Sequence, residues 1–252
     1  MACFSGLARY CYDAANNGEG NAMRTILVLN SKGGCGKSTI ATNLAAYYAS
    51  HGHAVALADF DPQASSLEWL AARPDDRPKI HGIAGFRDPV RAPRNTEFLI
   101  LDAPAAVHGP DLTALVRRTK TILIPVLPSA TDIRAAVHFI HDLLLVGKVE
   151  RKETRLATVA NRVPRVGALD NMLGSVGYET LNLRLFHPLE RFLDHLKIPC
   201  VATLPDSPSY ALADQQGVGI FELADGRATE DRTHWRPLLD WLGSRRSLPR
   251  DG

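Results

Sequence analysis

The 252-residue sequence predicts an α/β fold in which a mostly parallel, twisted sheet carries helices on both faces. Three observations indicate it: short apolar runs alternate with helix-forming stretches, a glycine-rich loop joins the first run to the first helix, and aspartates directly follow two later runs. Neither an internal repeat nor a second domain is visible, so residues 23–242 are expected to form a single domain. The predicted strands lie near residues 25, 54, 98, 121, 156 and 201.

The composition is that of an average soluble globular protein, with 45% hydrophobic and 22% charged residues. The formal net charge is +2, so any nucleic-acid site must be a local basic patch. No apolar run approaches the roughly 18 residues of a membrane span. Four cysteines without paired metal spacing favour a reducing cytoplasm and no disulfides; they are Cys3, Cys11, Cys35 and Cys200.

The two ends of the chain differ in composition from its middle. Residues 1–22 are rich in turn formers and are expected to be a flexible extension, with Met23 as an alternative start just before the first strand. A last helix is predicted at Trp235–Leu242, and residues 243–252 follow as a polar, basic tail.

The loop from Asn30 to Thr39 is the strongest functional signal. It lies between the strand-like run Thr25–Leu29 and the helix-forming run Ile40–Ser50, the context that a phosphate loop requires. Its three glycines let backbone N–H groups point into one concavity, and the helix N-terminus adds positive charge there. Lys37 would then reach the β- and γ-phosphates of a nucleotide, and the Ser38 hydroxyl would bind Mg²⁺. The predicted nucleotide contacts in this loop are Gly33, Gly34, Cys35, Gly36, Lys37, Ser38 and Thr39.

This loop departs from the general phosphate-loop pattern in two ways. Ser31 stands where the first glycine belongs, and Lys32 directly precedes Gly33. The resulting K-G-G-x-G-K-[ST] form resembles the deviant Walker A loop of the ParA/MinD family of P-loop ATPases. In that family the extra lysine crosses a dimer interface to the phosphates held by the partner subunit. The resemblance therefore implies a homodimer on ATP, with Lys32 and Lys37 both catalytic; a solvated loop lysine is the alternative.

Two acidic residues follow the second predicted strand. The run His53–Ala58 ends in Asp59-Phe-Asp-Pro-Gln63, and parallel sheets place their ligands at the C-terminal ends of strands. This D-x-D-P-Q segment resembles ParA-type ATPases, where the second aspartate helps to bind Mg²⁺ and to orient the attacking water. The resemblance assigns that role to Asp61 and leaves Asp59 to support the loop. A turn or helix-cap aspartate is the alternative for Asp61.

A third acidic residue follows the run Phe98–Leu101. Four apolar residues ending in an aspartate form a Walker B strand, in which Asp102 would hold a water on Mg²⁺. The next two residues, Ala103 and Pro104, resemble the family's D-x-P start of switch II.

The rest of the chain supplies further elements and one ambiguous stretch. Residues 65–96 have no clear period after a probable helix around Leu67–Leu70, and a short strand at Lys79–Ile83 is left open. The other predicted elements are helices at Asp111–Thr119, Ile133–Leu145 and Leu181–Leu196, and strands at Thr121–Leu127, Leu156–Asn161 and Val201–Leu204.

The base of the nucleotide is expected to lie near two later segments. Asn161 resembles the family's adenine-recognising asparagine, and its donor and acceptor suit the adenine edge; a turn residue that closes the strand is the alternative. Pro205–Gly217 corresponds to the family's adenine-side loop, so Pro205 is a predicted contact. The segment ends in Gly217-Val-Gly-Ile220, with Gly219 where the family pattern has proline.

The resemblance implies slow, Mg²⁺-dependent ATP hydrolysis that a ParB-type adaptor protein accelerates. ATP would switch the protein between a surface-bound dimer and a free monomer. The leading expectation is a cytoplasmic, nucleoid-associated ATPase that binds nonspecific DNA and positions a plasmid, a chromosome locus or a protein organelle such as a carboxysome. DNA-binding relatives carry arginines around Asp206–Ser209, where this chain has none. Candidate replacements are Arg184, Arg191, Lys197, Arg227, Arg245 and Arg246.

Three alternatives share the same ATPase core. A MinD-like membrane switch needs a C-terminal amphipathic anchor, but Leu238–Leu242 is short and Pro249 follows, which favours a packed helix. An iron–sulfur carrier needs cysteines that bridge two subunits after the Walker B strand, and none lies between Cys35 and Cys200. The third is an assembly factor that uses ATP only structurally.

Overall fold

The computed structural model describes residues 23–105, 107–117, 119–145, 154–164, 187, 189–224 and 226–249. The predicted N-terminal extension, Arg184 and the first part of the predicted helix Leu181–Leu196 lie outside these ranges.

The strands form one sheet whose neighbours all pair in parallel. They are β1 (Arg24–Val28), β2 (Val55–Asp59), β3 (Ile80–Ala84), β4 (Phe98–Asp102), β5 (Thr121–Val126), β6 (Arg155–Val163) and β7 (Cys200–Pro205). Their order across the sheet is β3-β2-β4-β1-β5-β6-β7. The strand order reverses at β1, which places the ligand crevice of such a sheet at the C-terminal end of this strand. The predicted parallel sheet is confirmed, and the strand left open near residue 80 is its edge.

Helices cover both faces of the sheet, as predicted. They are α1 (Lys37–Ser50), α2 (Ser65–Ala71), α3 (Gly109–Val116), α4 (Ala130–Leu145), α5 (residues 189–196), α6 (Pro208–Gln215) and α7 (Thr229–Gly243). Side chains alternate along β1, so Leu27 joins the core under α3, α4 and α5, while Ile26 and Val28 join the core under α1, α6 and α7. Most residues of both cores are buried aliphatic side chains, which fixes the register of the strands and the position of their carboxyl ends.

The C-terminal segment packs against the sheet. Trp235, Leu238 and Leu242 are fully buried along α7, so the apolar face of this helix is used within the domain. No helix in the described ranges has the length and apolar character needed to cross a membrane.

The polar residues after α7 are also anchored. The Ser247 side chain is buried and its hydroxyl donates to the Leu242 carbonyl at 2.8 Å. Thr121 Oγ1 donates to the Ser247 carbonyl at 2.7 Å, and Arg155 Nε donates to the Leu248 carbonyl at 2.9 Å. Ser247 and Leu248 thus pack against the N-terminal edge of the sheet, and the domain boundary at residue 242 stays a prediction.

Candidate nucleotide-binding site

A cleft of about 920 Å³ opens at the carboxyl edge of the sheet, beside the loop after β1. It extends from that loop along α1, between α2 and α6. The structure brings together most of the predicted site residues here: Gly33, Gly34, Gly36, Lys37, Ser38, Thr39, Asp61 and Asn161 line the cleft. Lys32, Cys35, Asp102 and Pro205 do not line it, although Leu204 and Asp206 on either side of Pro205 do.

The loop conformation requires glycine at two positions. Gly34 and Gly36 have φ angles of 75° and 89°, in the left-handed region that side chains disfavour. A Cβ on Gly36 would lie 2.2 Å from Asn161 Nδ2, so the loop and the end of β6 approach each other more closely than any larger residue allows. Asn161 Nδ2 donates to the Cys35 carbonyl at 2.8 Å and holds the loop in this position.

The asparagine predicted to recognise adenine therefore has a contact that the sequence did not indicate. Asn161 is buried at the wall of the cleft, and its amide N–H₂ is engaged by the phosphate loop. Its role in adenine binding, like that of Pro205, stays a prediction.

Lys37 lies at the floor of the cleft. Its side chain is buried, and Nζ donates to the Lys32 carbonyl at 3.2 Å. A single neutral carbonyl compensates a buried ammonium poorly, whereas phosphate oxygens would form charge-assisted hydrogen bonds with it. Ser38 and Thr39 follow at the start of α1, whose free N–H groups and dipole also favour an anion.

Lys32 occupies a different position from Lys37. Its Nζ lies 3.0 Å from Asp132 Oδ1 near the start of α4, and its side chain is 40% exposed. Burial alone would raise the pKa of Asp132, but hydrogen bonds from Ser129 and Lys32 outweigh burial and hold the pKa below its ordinary value. Ser129 and Asp132 hydrogen-bond to each other, and their spacing has the S-x-x-D pattern of a capping box. This pattern is visible in the sequence, so Asp132 could have been identified from it. Lys32 therefore contacts Asp132 and does not line the phosphate cleft.

Asp59 fixes the loop that carries Asp61. Its side chain is fully buried and accepts from the backbone N–H groups of Asp61 at 2.9 Å and Ser66 at 2.9 Å. Burial raises the pKa of Asp59, and these N–H groups oppose that effect. Asp61 is partly exposed at the cleft and accepts from the Gln63 N–H at 3.0 Å. The two aspartates thus differ in environment as the sequence predicted, with Asp59 supporting the loop.

Asp102 lies behind the phosphate loop, and only one of its two carboxylate oxygens has a hydrogen-bond partner among the described residues. Ser66 Oγ donates to Asp102 Oδ2 at 2.6 Å, a contact that the sequence analysis missed. Asp102 Oδ1 is buried, and no hydrogen-bond partner for it lies within the described residues. Burial raises the pKa of Asp102 to about 6, and the neighbouring hydroxyls of Ser66 and Ser38 partly oppose that effect.

This arrangement fits a magnesium ion that arrives with a nucleotide. A buried carboxylate oxygen without a partner needs a cation or a bound water, and the nearby Ser38 and Asp61 add only oxygen ligands, the type that Mg²⁺ prefers. No cluster of three or more His, Cys, Asp or Glu side chains that could hold a metal occurs in the described part of the chain. Phosphate oxygens and water would therefore have to complete the coordination shell.

Asp102→Asn is expected to stabilise the nucleotide-free protein. The pKa of Asp102 in the folded protein is about 6, above the ordinary value of 3.8. Protonation of this carboxyl group therefore stabilises the folded state fully below about pH 4, and that stability is lost as the pH rises through 6. Asparagine removes the buried charge, and the gain in unfolding free energy should reach up to about 3 kcal/mol near neutral pH. Urea unfolding of both proteins without Mg²⁺, from acid to neutral pH, measures it. A gain that does not shrink towards pH 4, or an equal gain for the exposed Asp88→Asn control, would contradict this account.

The fold and the cleft define a P-loop nucleotide-binding protein: a glycine loop after the central strand, a buried lysine at its floor, and aspartates at the ends of the two strands on one side. More specifically, the chain belongs to the CobQ/CobB/MinD/ParA nucleotide-binding domain family, whose sequence profile matches residues 26–220. The family resemblance of the phosphate loop is confirmed.

The chain is also similar to individual proteins of known sequence or structure. The maintenance of carboxysome distribution protein A of Halothiobacillus neapolitanus is 29% identical over 219 residues, covering 84% of this chain and 93% of that protein. The McdA–ATP complex from Cyanothece has a TM-score of 0.63 at 16% identity and covers 87% of this chain and 97% of its own. The MinD cell division protein of Aquifex aeolicus has a TM-score of 0.59 at 17% identity, with coverages of 86% and 97%. These two structural likenesses show a shared fold.

Proposed function

We propose that this protein is a ParA-type ATPase that dimerises on ATP, binds nonspecific DNA and positions a cargo. A relative that covers most of both chains is a carboxysome distribution protein, so a carboxysome is the cargo that we favour. In this scheme the protein is cytoplasmic and nucleoid-associated, and a ParB-type adaptor on the cargo stimulates hydrolysis.

The observation that carries the proposal is the unequal placement of the two loop lysines. Lys37 is buried in the cleft, whereas Lys32 is partly exposed and paired with Asp132 outside it. A lysine in the phosphate loop that does not face its own nucleotide has its ammonium available for a nucleotide bound to a second copy. The Lys32 side chain of this ion pair is 40% exposed and that of Asp132 is 15% exposed. Ion pairs that solvent reaches contribute on the order of 1 kcal/mol, so this pair can be exchanged for a phosphate contact.

The proposed chemistry is phosphoryl transfer to water without a covalent intermediate. Lys37 and the loop N–H groups would stabilise charge on the phosphates, and Lys32 of the second copy would act in trans as an arginine finger does. Asp61 would orient the attacking water. Ser38, Asp61 and Asp102 would hold Mg²⁺, which neutralises charge on the β- and γ-phosphates when it is bound.

Binding to arbitrary duplex DNA tests the proposal. We expect purified protein to bind with ATP but not with ADP or without nucleotide, and the affinity to fall by orders of magnitude between about 50 and 200 mM salt, because released counterions drive nonspecific binding. Lys37→Ala is the matched control, since it removes nucleotide binding without changing any exposed charge. Affinity that is independent of nucleotide, or absent in every nucleotide state, would refute the DNA switch.

A MinD-like membrane switch is the second candidate, and the structure gives it little support. Its anchor would need an unburied apolar helix face, but Trp235, Leu238 and Leu242 are all buried in the core. Flotation with anionic liposomes and ATP is the test of this alternative if DNA binding fails.

A further inference from the structure

A buried serine connects the two aspartates that end the strands beside the phosphate loop. Asp59 and Asp102 end the neighbouring parallel strands β2 and β4 and are paired in register. Ser66 lies in the first turn of α2 and is fully buried. Its backbone N–H donates to Asp59 Oδ2 at 2.9 Å, and its hydroxyl donates to Asp102 Oδ2 at 2.6 Å. One residue therefore donates a hydrogen bond to each carboxylate.

Both hydrogen bonds offset a cost of burial. Two buried carboxylates side by side repel each other, and a donor on each of them lowers that cost. The first N–H groups of a helix also have no partner within the helix. In α2 the N–H groups of Ser66 and Leu67 both donate to Asp59 Oδ2, the second at 3.3 Å. The start of α2 is thereby fixed to the ends of two strands.

The Ser66 hydroxyl also determines which oxygen of Asp102 stays available. Oδ2 is engaged in a short hydrogen bond, so the carboxylate cannot rotate without losing it. Oδ1 is the buried oxygen for which no partner lies within the described residues. The hydroxyl of Ser38, a predicted Mg²⁺ ligand, lies beside the same carboxylate. Asp102 is therefore held between a hydroxyl that supports it and a hydroxyl that is expected to bind the metal.

The same serine is linked to the loop of Asp61 through Asp59. One oxygen of Asp59 accepts from the Ser66 N–H and the other accepts from the Asp61 N–H, at 2.9 Å each. A change at Asp102 that displaces Ser66 therefore acts on the backbone of the Asp61 loop through one buried carboxylate. Continuous hydrogen-bond networks of this kind can carry coupling between two sites.

We propose that Ser66 is a positioning residue that orients Asp102 towards Mg²⁺ and couples occupancy of the metal site to the loop of Asp61. Ser66 does not line the cleft, so it acts through the two aspartates. Residues that orient a metal ligand from behind contribute about 10–100-fold to metal affinity. The inference rests on the Mg²⁺–ATP binding proposed above and is independent of DNA binding and dimerisation.

Ser66→Ala tests the inference through metal binding instead of turnover. The affinity for a fluorescent, non-hydrolysable ATP analogue is measured with Mg²⁺ and with EDTA, and the ratio of the two gives the gain that the metal provides. We expect Ser66→Ala to lower this ratio by about 10-fold or more and to leave the affinity in EDTA unchanged. Ser66→Cys keeps a weaker donor, so its ratio should lie between those of the other two proteins. It also carries the test if the alanine variant does not fold.

Two further variants separate positioning from a general loss of stability. Ser247→Ala removes an equally buried hydroxyl at the opposite edge of the sheet and should keep the wild-type ratio. Asp102→Asn should lower the ratio by itself. Adding Ser66→Ala to Asp102→Asn should lower it no further, because the serine acts through this carboxylate.

Hydrogen exchange measures the coupling to the Asp61 loop. In the wild-type protein, Mg²⁺ should slow exchange of the backbone amides at residues 60–66 beyond the effect of the ATP analogue alone. In Ser66→Ala the added protection by Mg²⁺ should be lost at a metal concentration that saturates the site, since the link between Asp102 and Asp59 is broken.

The outcomes distinguish this inference from the function on which it rests. If Mg²⁺ raises ATP affinity in the wild-type protein and equally in Ser66→Ala, the positioning role is refuted and Mg²⁺–ATP binding stands. A ratio that falls as much in Ser247→Ala, or protection of the loop that is the same in wild type and Ser66→Ala, also refutes it. If Mg²⁺ does not raise the ATP affinity of the wild-type protein, both this inference and the proposed metal site are refuted.

Discussion

Replacing Lys32 with alanine is expected to leave ATP binding nearly unchanged and to lower ATP turnover by at least about 10²–10³-fold, the usual effect of losing one hydrogen-bond donor to the transition state. ATP binding persists because Lys37, the loop amides and Ser38 line the cleft, and Lys32 does not. Turnover falls because no other described cation of the loop is free to approach the nucleotide of a second copy. Binding of a fluorescent ATP analogue and steady-state phosphate release, with adaptor and DNA present, measure the two effects.

The ion pair of Lys32 with Asp132 provides the matched control. Asp132→Asn removes the negative charge that lies 3.0 Å from Lys32 Nζ but leaves the ammonium in place. If Lys32 acts on a second nucleotide, Asp132→Asn should keep its turnover, and a small increase is consistent with easier release. If Lys32 only braces its own loop against α4, both substitutions should lower turnover alike, and the role in trans would be wrong.

The site was predictable from the sequence where the chemistry is local. The phosphate loop, Asp61 and Asp102 each follow an apolar run directly, and parallel strands bring such positions to one edge. Ser66 was not predictable in the same way, because its bond to Asp102 joins residues 36 positions apart in a pairing that only the sheet creates.

The edge strand β3 shows why part of the fold was ambiguous. Ile80 and Ile83 are its only well-buried residues, so its burial pattern has neither the continuous apolar run of a central strand nor a period of two. Gly82 weakens the signal further, yet a Cβ there would lie 2.6 Å from Leu70 Cδ2 of α2. The residue that obscures the strand in the sequence thus leaves room for the Leu70 side chain of the helix that packs on it.

Gly219 departs from the family pattern for a similar packing reason. A Cβ at this position would lie 2.6 Å from Ala46 Cβ in α1, and the Gly219 N–H donates to Glu222 Oε2 at 2.8 Å. Proline has no N–H and could not make that bond. Glycine at position 219 therefore preserves the hydrogen bond to the Glu222 carboxylate. That carboxylate has a second partner, Arg73.

Arg73 and Glu222 form a buried ion pair between the end of α2 and the loop before α7. Arg73 Nη1 and Nη2 donate to the two carboxylate oxygens at 2.9 and 2.6 Å, and the side chains are 5% and 3% exposed. Arg73 Nη1 also donates to the Gly217 carbonyl at 3.2 Å. The pair thereby ties the helix that follows Asp61 to the segment that resembles the family's adenine-side loop.

Glu222→Ala is expected to destabilise the protein by about 3–5 kcal/mol, because it leaves the Arg73 guanidinium buried without a counter-charge. A buried ion pair need not stabilise the folded state relative to an apolar pair of similar volume. The double variant Arg73→Met, Glu222→Leu should therefore recover most of the lost free energy of unfolding, because apolar side chains fill the same space. Urea unfolding of Arg73→Met, Glu222→Leu and the double variant forms the thermodynamic cycle, with Glu222→Ala measured beside it. A double variant as unstable as Glu222→Ala would mean that the hydrogen bonds to Gly217 and Gly219, and not the uncompensated charge, hold the loop. Restored stability with weakened ATP binding would instead show that the polar pair sets the position of the adenine-side loop.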